Sequence, residues 1–325
     1  MEFDFISLGS ATQDVFLGSD AFTAVESVQF DVGRGICLPF GSKVAVNKVV
    51  FASGGGGTNA AVTFARQGFR TACIGAIGTD HNAPSILDDL RREGVDAKHF
   101  QTGGDVTEYS VILVAPGGER TILVYRGETH IAADRIPWDQ LKAGWMYVDS
   151  VGSVDVLEAA VMWAKRRGTH LATNPGGTEL SLGLKTLAPH WKQFDIVGMN
   201  QEEAAHLTGI PFNEEDAIFK KMDDAIGGIF IMTKGQDGVR VSDGNFVYSA
   251  EIPTRDVVER TGAGDAFHSG FLVEFVRSGS IEKAVQFGTA NASSVVMRFG
   301  AKAGILKKGE TGPWPPVNVT KRRLA

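Results

Sequence analysis

The feature that most constrains this chain is the alternation of short apolar runs with amphipathic helical segments along most of its 325 residues. Residues 3–9 (FDFISLG) form an apolar run ending in glycine, as a buried strand does. After the glycines at 54–57, TNAAVTFARQG reads as a helix stopped by Gly68, and TACIGAIG reads as the next strand. The rhythm continues through a helix near 82–93, strand WMYVD (145–149), helix VDVLEAAVMWAKRRG and strand HLATN (170–174). Strand FDIVGMN, helix QEEAAHLTG, strand GGIFIMTKG and two helices filling 265–297 complete it. Strands joined by helical crossovers run parallel, and right-handed crossovers place helices on both faces of the sheet. The expected fold class is α/β, a doubly wound, mainly parallel sheet flanked by helices.

Two stretches break the rhythm. Residues 22–51 carry short apolar pieces divided by Gly33, Gly35, Pro39 and Gly41, which predicts a small strand-rich appendage. Strands near 107–115 and 120–125 follow each other with no helix between them. The length suits one large α/β domain over 1–325 with such an insertion. The tail from Lys307, with Gly309, Pro313, Pro315 and Pro316, reads as loosely ordered.

Composition narrows the partners. Hydrophobic residues at 43% suffice for a full core, and a net charge of −6 provides no long-range attraction to nucleic acid or anionic lipid. No window reaches the roughly 18 apolar residues of a membrane span, and the start MEFDFISLGS has no signal-like pattern, so a cytoplasmic protein is expected. Two cysteines, Cys37 and Cys73, make neither a disulfide framework nor a metal cluster. The seven histidines lack metal-ligand spacing and are read as non-catalytic.

Sheets of this type bind ligands beyond the carboxyl ends of their strands, where Asp14, Asp80, Asp149, Asn174, Asn200 and Thr233 are expected. The most informative segment is ERTGAGDAFHSGF (259–271), in which a helix starts near Asp265 directly after glycines. Gly262, Ala263 and Gly264 then present backbone N–H groups at the positive end of a helix dipole, an anion hole. An Asp in the first turn of that helix can take the proton of an attacking hydroxyl, or it can simply cap the helix. The run SGGGGTNAA (53–61) also precedes a helix, and Asn59 offers a donor and an acceptor to hydroxyl groups; a flexible loop is the plainer alternative.

Together GGGGTNAA, GAIGTD (75–80), NQEE (200–203), TKGQDG (233–238) and TGAGDAF (261–267) resemble, in order and spacing, the ribokinase-type carbohydrate kinases. The resemblance covers residues 3 to about 305. It implies ATP-dependent phosphorylation of a hydroxyl of a small sugar or sugar-like molecule, under a small β lid matched by 22–51 and 107–125. Lids of this family often dimerise, which makes a homodimer an expected assembly. Asp265 matches the catalytic base and Gly262, Ala263 and Gly264 the anion hole. Asp14, Gly55, Gly56 and Asn59 match substrate-binding positions, with Asp149 a further candidate. Asn200 and Glu203 match the N-x-x-E motif that organises Mg²⁺, commonly through water. Thr233, Gly235 and Gly238 match the nucleotide strand region, and Asn291 the helix bordering the adenine.

The chain departs from ribokinase itself where that enzyme has Lys and Asn, since Gly56 and Thr12 stand there. Glu259 and Arg260 replace the usual Asp-Thr beside a loop that in many members binds K⁺, which makes K⁺ a candidate activator. Arg34, Arg120 and Arg126 lie at strand ends, where arginines ordinarily face water. Turned inward, Arg126 or Arg34 would pair with a phosphosugar or a sugar acid such as 2-keto-3-deoxygluconate, the alternative substrate class. A catalytically inactive sensor is the remaining alternative. A dinucleotide oxidoreductase is disfavoured, because the first strand leads into GSATQD rather than a G-x-G-x-x-G turn.

Overall fold

The computed structural model describes residues 2–28, 33–253 and 256–324. The first apolar run is β1 (Phe3–Gly9), and the chain leaves it at once for a second sheet as β2 (Thr12–Gly18). A short antiparallel ribbon, β3 (Ala24–Glu26) and β4 (Arg34–Ile36), precedes β5 (Lys48–Gly54), which runs straight into helix α1 (Gly56–Arg66). Then come β6 (Thr71–Ile74), β7 (Ala76–Ile77), helix α2 (Ala83–Arg92), β8 (Gln101–Thr102), β9 (Glu108–Val114) and β10 (Arg120–Tyr125). The β/α rhythm resumes with β11 (Ala143–Asp149), α3 (Val154–Arg167), β12 (His170–Asn174), α4 (Gly177–Leu180), α5 (Leu184–Trp191) and β13 (Ile196–Asn200). It ends with α6 (Gln201–Thr208), α7 (Glu215–Ala225), β14 (Ile229–Thr233), β15 (Val239–Ser242), β16 (Phe246–Ala250), α8 (Ala263–Ser278), α9 (Ile281–Val295) and β17 (Val319–Arg323).

The main sheet has nine strands in the order β17-β16-β15-β14-β13-β12-β11-β1-β6. From β6 to β14 the pairs are parallel, as the crossovers require, and β15, β16 and β17 close that edge antiparallel. One apolar layer packs β11, β12 and β13 against α3, α5 and α7 around the buried Trp163, Trp191 and Phe219. The opposite layer packs α1, α8 and α9 around Phe64, Phe271 and Val285. Strand order reverses at β1, which lies between β6 and β11, so a ligand crevice is expected at its carboxyl end. Among the described residues, no helix is long and apolar enough to cross a membrane.

The second sheet, in the order β10-β9-β2-β5, differs from the expected appendage. Residues 107–125 supply β9 and β10, but 22–51 contribute little more than the first part of β5, and residues 29–32 of that segment lie outside the described residues. A central strand of the sheet is β2, which crosses over from β1 through only Ser10 and Ala11 after Gly9. The tail also differs from its loosely ordered reading, since β17 pairs with β16 from Phe246↔Arg323 to Ala250↔Val319. Its sequence VTKRR hides this, because Lys321 covers apolar surface with its stem, holding Nζ 4.2 Å from the Phe246 ring centre.

Candidate active site

Strand register lines up the candidate residues. Gly9 of β1 pairs with Asp149 of β11, Asp149 with Asn174, and Asn200 of β13 with Thr233 of β14, all at carboxyl ends. The glycine run meets this row from above. Gly55 caps α1 at φ 91°, and a Cβ on it would come within 2.5 Å of the Ser10 carbonyl oxygen. A Cβ on Gly56 would lie 2.0 Å from Asp149 Oδ1, and one on Gly57 2.6 Å from the Gly9 carbonyl carbon. These glycines thus let α1 seat on the end of β1; they do not form a flexible loop.

That seating brings Asn59 to Asp265, and its Nδ2 donates to Asp265 Oδ2 at 2.8 Å across 206 residues of sequence. Asp265 stands in the first turn of α8, whose cap, Gly262, is left-handed at φ 77°. Asp265 is half-buried, and its desolvation raises its pKa from the ordinary value, an effect the Asn59 hydrogen bond and then the charge of Lys302 partly offset. Asn59 Oδ1 is buried without a partner, and so is Asp149 Oδ2. Burial, followed by the charges of Asp265 and Glu179, raises the Asp149 pKa well above its ordinary value.

Asp14 occupies β2 rather than a turn after the first strand, paired with Ala52 on one side and Ser110 on the other. Its Oδ1 accepts from Thr12 Oγ1 at 2.7 Å, and burial raises its pKa, offset first by that bond and then by Lys302. Directly opposite residues share a face of the sheet, so Asp14, Phe16, Ile112 and Arg120 lie on one face. The buried part of that face packs against Phe299.

Two cavities flank this centre. One, of 540 Å³, is bordered by Ser10, Glu108, Arg126, His130, Ser150 and Thr178 among others. Arg126 therefore faces a cavity, but its Nη1 lies 3.4 Å from Glu108 Oε2, so its charge is already countered. Arg34 stays exposed on β4. His130, given no role by the sequence, borders this cavity, whereas His268 is buried in α8 and held neutral, its pKa pushed down by burial to about 4.

The other cavity, of 590 Å³, is bordered by Asn200, Thr233, Gly235, Gly238, Ala263 and Gly264 together with Arg120, Arg260 and Gln236. Gly264 has no atom within 4 Å of its would-be Cβ, while the Ala263 N–H closes a turn on the Arg260 carbonyl at 3.3 Å. The arginines were not legible as cavity residues. Arg120 reaches this cavity from the exposed strand β10, and partial desolvation at the cavity lowers its pKa, which the charge of Glu259 partly offsets. With the Gln236 amide turned so that its oxygen faces Arg260, that oxygen accepts from Nη2 and Nη1 at 2.6 and 2.8 Å.

Asn200 and Glu203 form a reciprocal helix cap: Glu203 N donates to Asn200 Oδ1 and Asn200 N to Glu203 Oε2, each at 2.8 Å. Burial raises the Glu203 pKa, the Asn200 N–H offsets part of that, and the charge of Asp265 adds to it. Gly238 is required by close packing, since a Cβ there would lie 2.0 Å from the Ala250 carbonyl oxygen. Asn291 departs from its expected place at the cavity. It is fully buried, its Nδ2 donating to Ala266 O at 2.8 Å and its Oδ1 accepting from Leu306 N at 2.9 Å. Helical periodicity turns its neighbours Thr289, Ala292 and Ser293 toward the cavity instead.

Comparison with known proteins agrees with this arrangement. Residues 23–308 match the model of the pfkB family carbohydrate kinases. Ribokinase of Haemophilus influenzae is 28% identical over 270 residues, covering 80% of this chain and 86% of that protein. The nucleoside kinase of Methanothermobacter thermautotrophicus is 25% identical over 302 residues, covering 85% and 91%. Arabidopsis thaliana ribokinase, solved with ribose and ATP, superposes with a TM-score of 0.73 at 21% identity over 94% of this chain and 96% of that one. With a glycine-seated helix, a hydrogen-bonded Asp at the start of α8 and a family match across most of its length, this chain belongs to the pfkB family of carbohydrate kinases, phosphotransferases with an alcohol group as acceptor.

Proposed function

We propose that this kinase transfers the γ-phosphoryl group of MgATP to a hydroxyl of an uncharged sugar or nucleoside, with Asp265 as the base. The observation that carries the reading is the 2.8 Å hydrogen bond from Asn59 to Asp265, which joins the first turns of α1 and α8. The acceptor would occupy the cavity of Ser10 and Ser150; Asp14, Asn59 and Asp149 lie buried behind that lining, with Asn59 Oδ1 and Asp149 Oδ2 unpartnered, and would take its hydroxyls where it reaches past Gly9 and Ser150. An uncharged acceptor is favoured because Glu108 already neutralises Arg126 there.

ATP would occupy the cavity of Thr233, Gly235 and Gly238, with its phosphates toward Gly264, Arg260 and Arg120. The acceptor's O–H proton passes to the Asp265 carboxylate as its oxygen bonds to the γ-phosphorus, and the bond from that phosphorus to the β-phosphate oxygen breaks to release ADP. The open N-terminus of α8, with the backbone N–H groups of Gly262 and Gly264, would stabilise charge on the transferring group, the Ala263 N–H being already engaged by Arg260 O.

Mg²⁺ fits this site in one respect that can be read directly. Glu203 and Asp265 act on each other as like charges, and among the described residues no three acidic, His or Cys side chains form a metal cage. Such a setting suits an ion that keeps its waters and takes phosphate oxygens, held by Asn200 and Glu203 through water; when bound it would neutralise phosphate charge. Glu259 Oε1 and Thr261 Oγ1 are buried without partners, oxygen donors of the kind K⁺ takes, so K⁺ activation is part of the proposal.

The second sheet would act as a lid, and its outer face supports a homodimer. Val49 and Phe51 on β5 and Leu123 and Tyr125 on β10 are 48%, 70%, 56% and 50% exposed and share that face by register. A cytoplasmic location belongs to the same reading, consistent with the two free thiols, Cys37 and Cys73.

The test is ADP release from MgATP against D-ribose, D-fructose, adenosine, a sugar acid and a sugar phosphate, with and without K⁺. Saturable turnover is expected with an uncharged acceptor. Asp265→Asn is expected to lower kcat by about 10²–10⁴-fold while acceptor affinity stays nearly constant. Undiminished turnover in that variant removes Asp265 from its role, and silence across the panel from ATP-binding protein favours an inactive sensor.

A further inference from the structure

The transfer chemistry uses Asp265 but leaves a nearby half-buried cation, Lys302, without a role. Lys302 follows Ala301, which packs so closely on Gly262 that a Cβ there would come within 2.4 Å. Its carbonyl oxygen accepts from Arg66 Nη1 at 2.7 Å, and that guanidinium is fixed by Glu93 at 2.7 and 2.8 Å. Its Nζ donates to the Ser53 carbonyl oxygen at 2.7 Å and lies 3.2 Å from Ser53 Oγ. Ser53 pairs with Gln13, directly beside the Asp14↔Ala52 pair, so the ammonium is pinned against the strand next to Asp14.

Apart from the Arg66 guanidinium, which Glu93 pairs, the ionisable groups around this point are acids. Asp14 from β2, Asp149 and Tyr147 from β11 and Glu203 from α6 all feel the charge of Asp265. Asp89 from α2 and Cys73 from β6 also act on Lys302. Charges of one sign crowded in a low-dielectric region take up protons unless a cation opposes them, and a protonated base cannot accept a hydroxyl proton.

We propose that Lys302 is a positioning residue for phosphoryl transfer: its ammonium, anchored on Ser53, keeps Asp14 and Asp265 ionised among neighbouring acids. The role rests on reading Asp265 as the base. In keeping with it, burial pushes the Lys302 ammonium down to about 8, opposed first by Asp14, and Lys302 in turn lowers the pKa values of Asp14 and Asp265. The charge is present at neutral pH and is lost as pH rises through that value.

The test is a pH titration of the carboxyl carbons in ¹³C-aspartate-labelled protein without substrate, the Asp265 signal being assigned by its loss in Asp265→Asn. In Lys302→Met the Asp265 midpoint should rise by about one pH unit, a tenfold change in its ionisation constant, and Lys302→Arg should restore it. A midpoint unmoved in folded Lys302→Met overturns the proposal. Should that variant not fold, wild-type protein carries the test, because its Asp265 signal must show a second inflection near pH 8 as Lys302 loses its proton. A flat signal there overturns the proposal equally. Turnover of Asp265→Asn in the ADP-release assay is a separate readout: if it persists the base reading fails, whereas its loss with an unmoved midpoint removes only Lys302.

Discussion

Alanine at Gly262 and alanine at Gly264, two residues apart at the start of α8, should have opposite consequences. Gly262 is left-handed at φ 77°, a conformation that costs a residue with a Cβ about 1–2 kcal/mol. Its new methyl would also stand 2.4 Å from Ala301 Cβ, about 1 Å inside ordinary contact, and overpacking of that kind costs about 1–3 kcal/mol. The sum is about 2–5 kcal/mol. Over 325 residues the unfolding entropy is about 0.7 kcal/mol/K, so Tm should fall by about 3–7 °C. Gly264 has neither constraint: its φ is not left-handed and nothing lies within 4 Å of its would-be Cβ. Gly264→Ala should therefore fold as well as wild type, or better by up to about 1 kcal/mol through helix propensity. Its methyl, however, enters the 590 Å³ cavity where the γ-phosphate is proposed to dock. Weakened stabilisation there should lower kcat about 10²–10³-fold or raise KM for ATP correspondingly. Thermal melts paired with ADP-release kinetics separate the two effects. A stable Gly264→Ala protein with full turnover and unchanged KM for ATP would refute the anion hole.

Two further outcomes follow from charge and burial. Burial raises the Glu179 pKa to about 7 from 4.5, so the folded protein holds that proton more tightly than the unfolded chain does. Its contribution is fully present below about pH 4.5 and is lost as pH rises through about 7, so Glu179→Gln should gain stability over wild type at pH 8 relative to pH 4 by up to about 3 kcal/mol, read from denaturant melts. An advantage that does not vary with pH would contradict this. The proposed homodimer predicts that wild type has a dimer's mass in light scattering and Phe51→Glu a monomer's, with an unaltered melt because Phe51 is 70% exposed. Unchanged mass in the variant would move the interface elsewhere.

Some of the site was written locally. The strand ends carrying Asp149, Asn200 and Thr233 were legible because period and glycine punctuation mark where a strand stops, and strand register then aligns them. The Asn200–Glu203 pair was legible because a capping box spans only three residues. Asn291 was misplaced because the rotation of a helix about its axis depends on which neighbour fills the gap over Gly270, and no nearby residue reports that. The second sheet was only half legible. Residues 12–18 alternate like any strand and say nothing about which sheet they join, and β17 is an edge strand whose lysine and arginine stems do the covering.

The sequence alone determined the α/β class, the mainly parallel sheet and the glycine-led helix that begins near Asp265, because these follow from local periodicity and backbone freedom. Tertiary structure alone decided that Asn59 meets Asp265 across 206 residues, that Glu108 meets Arg126, and that Lys302 reaches Ser53 across 249. The physical reason is that a side chain's partner and its ionisation depend on what distant segments bring within a few ångströms in a low-dielectric interior, and nothing in the local pattern of residues encodes that distance.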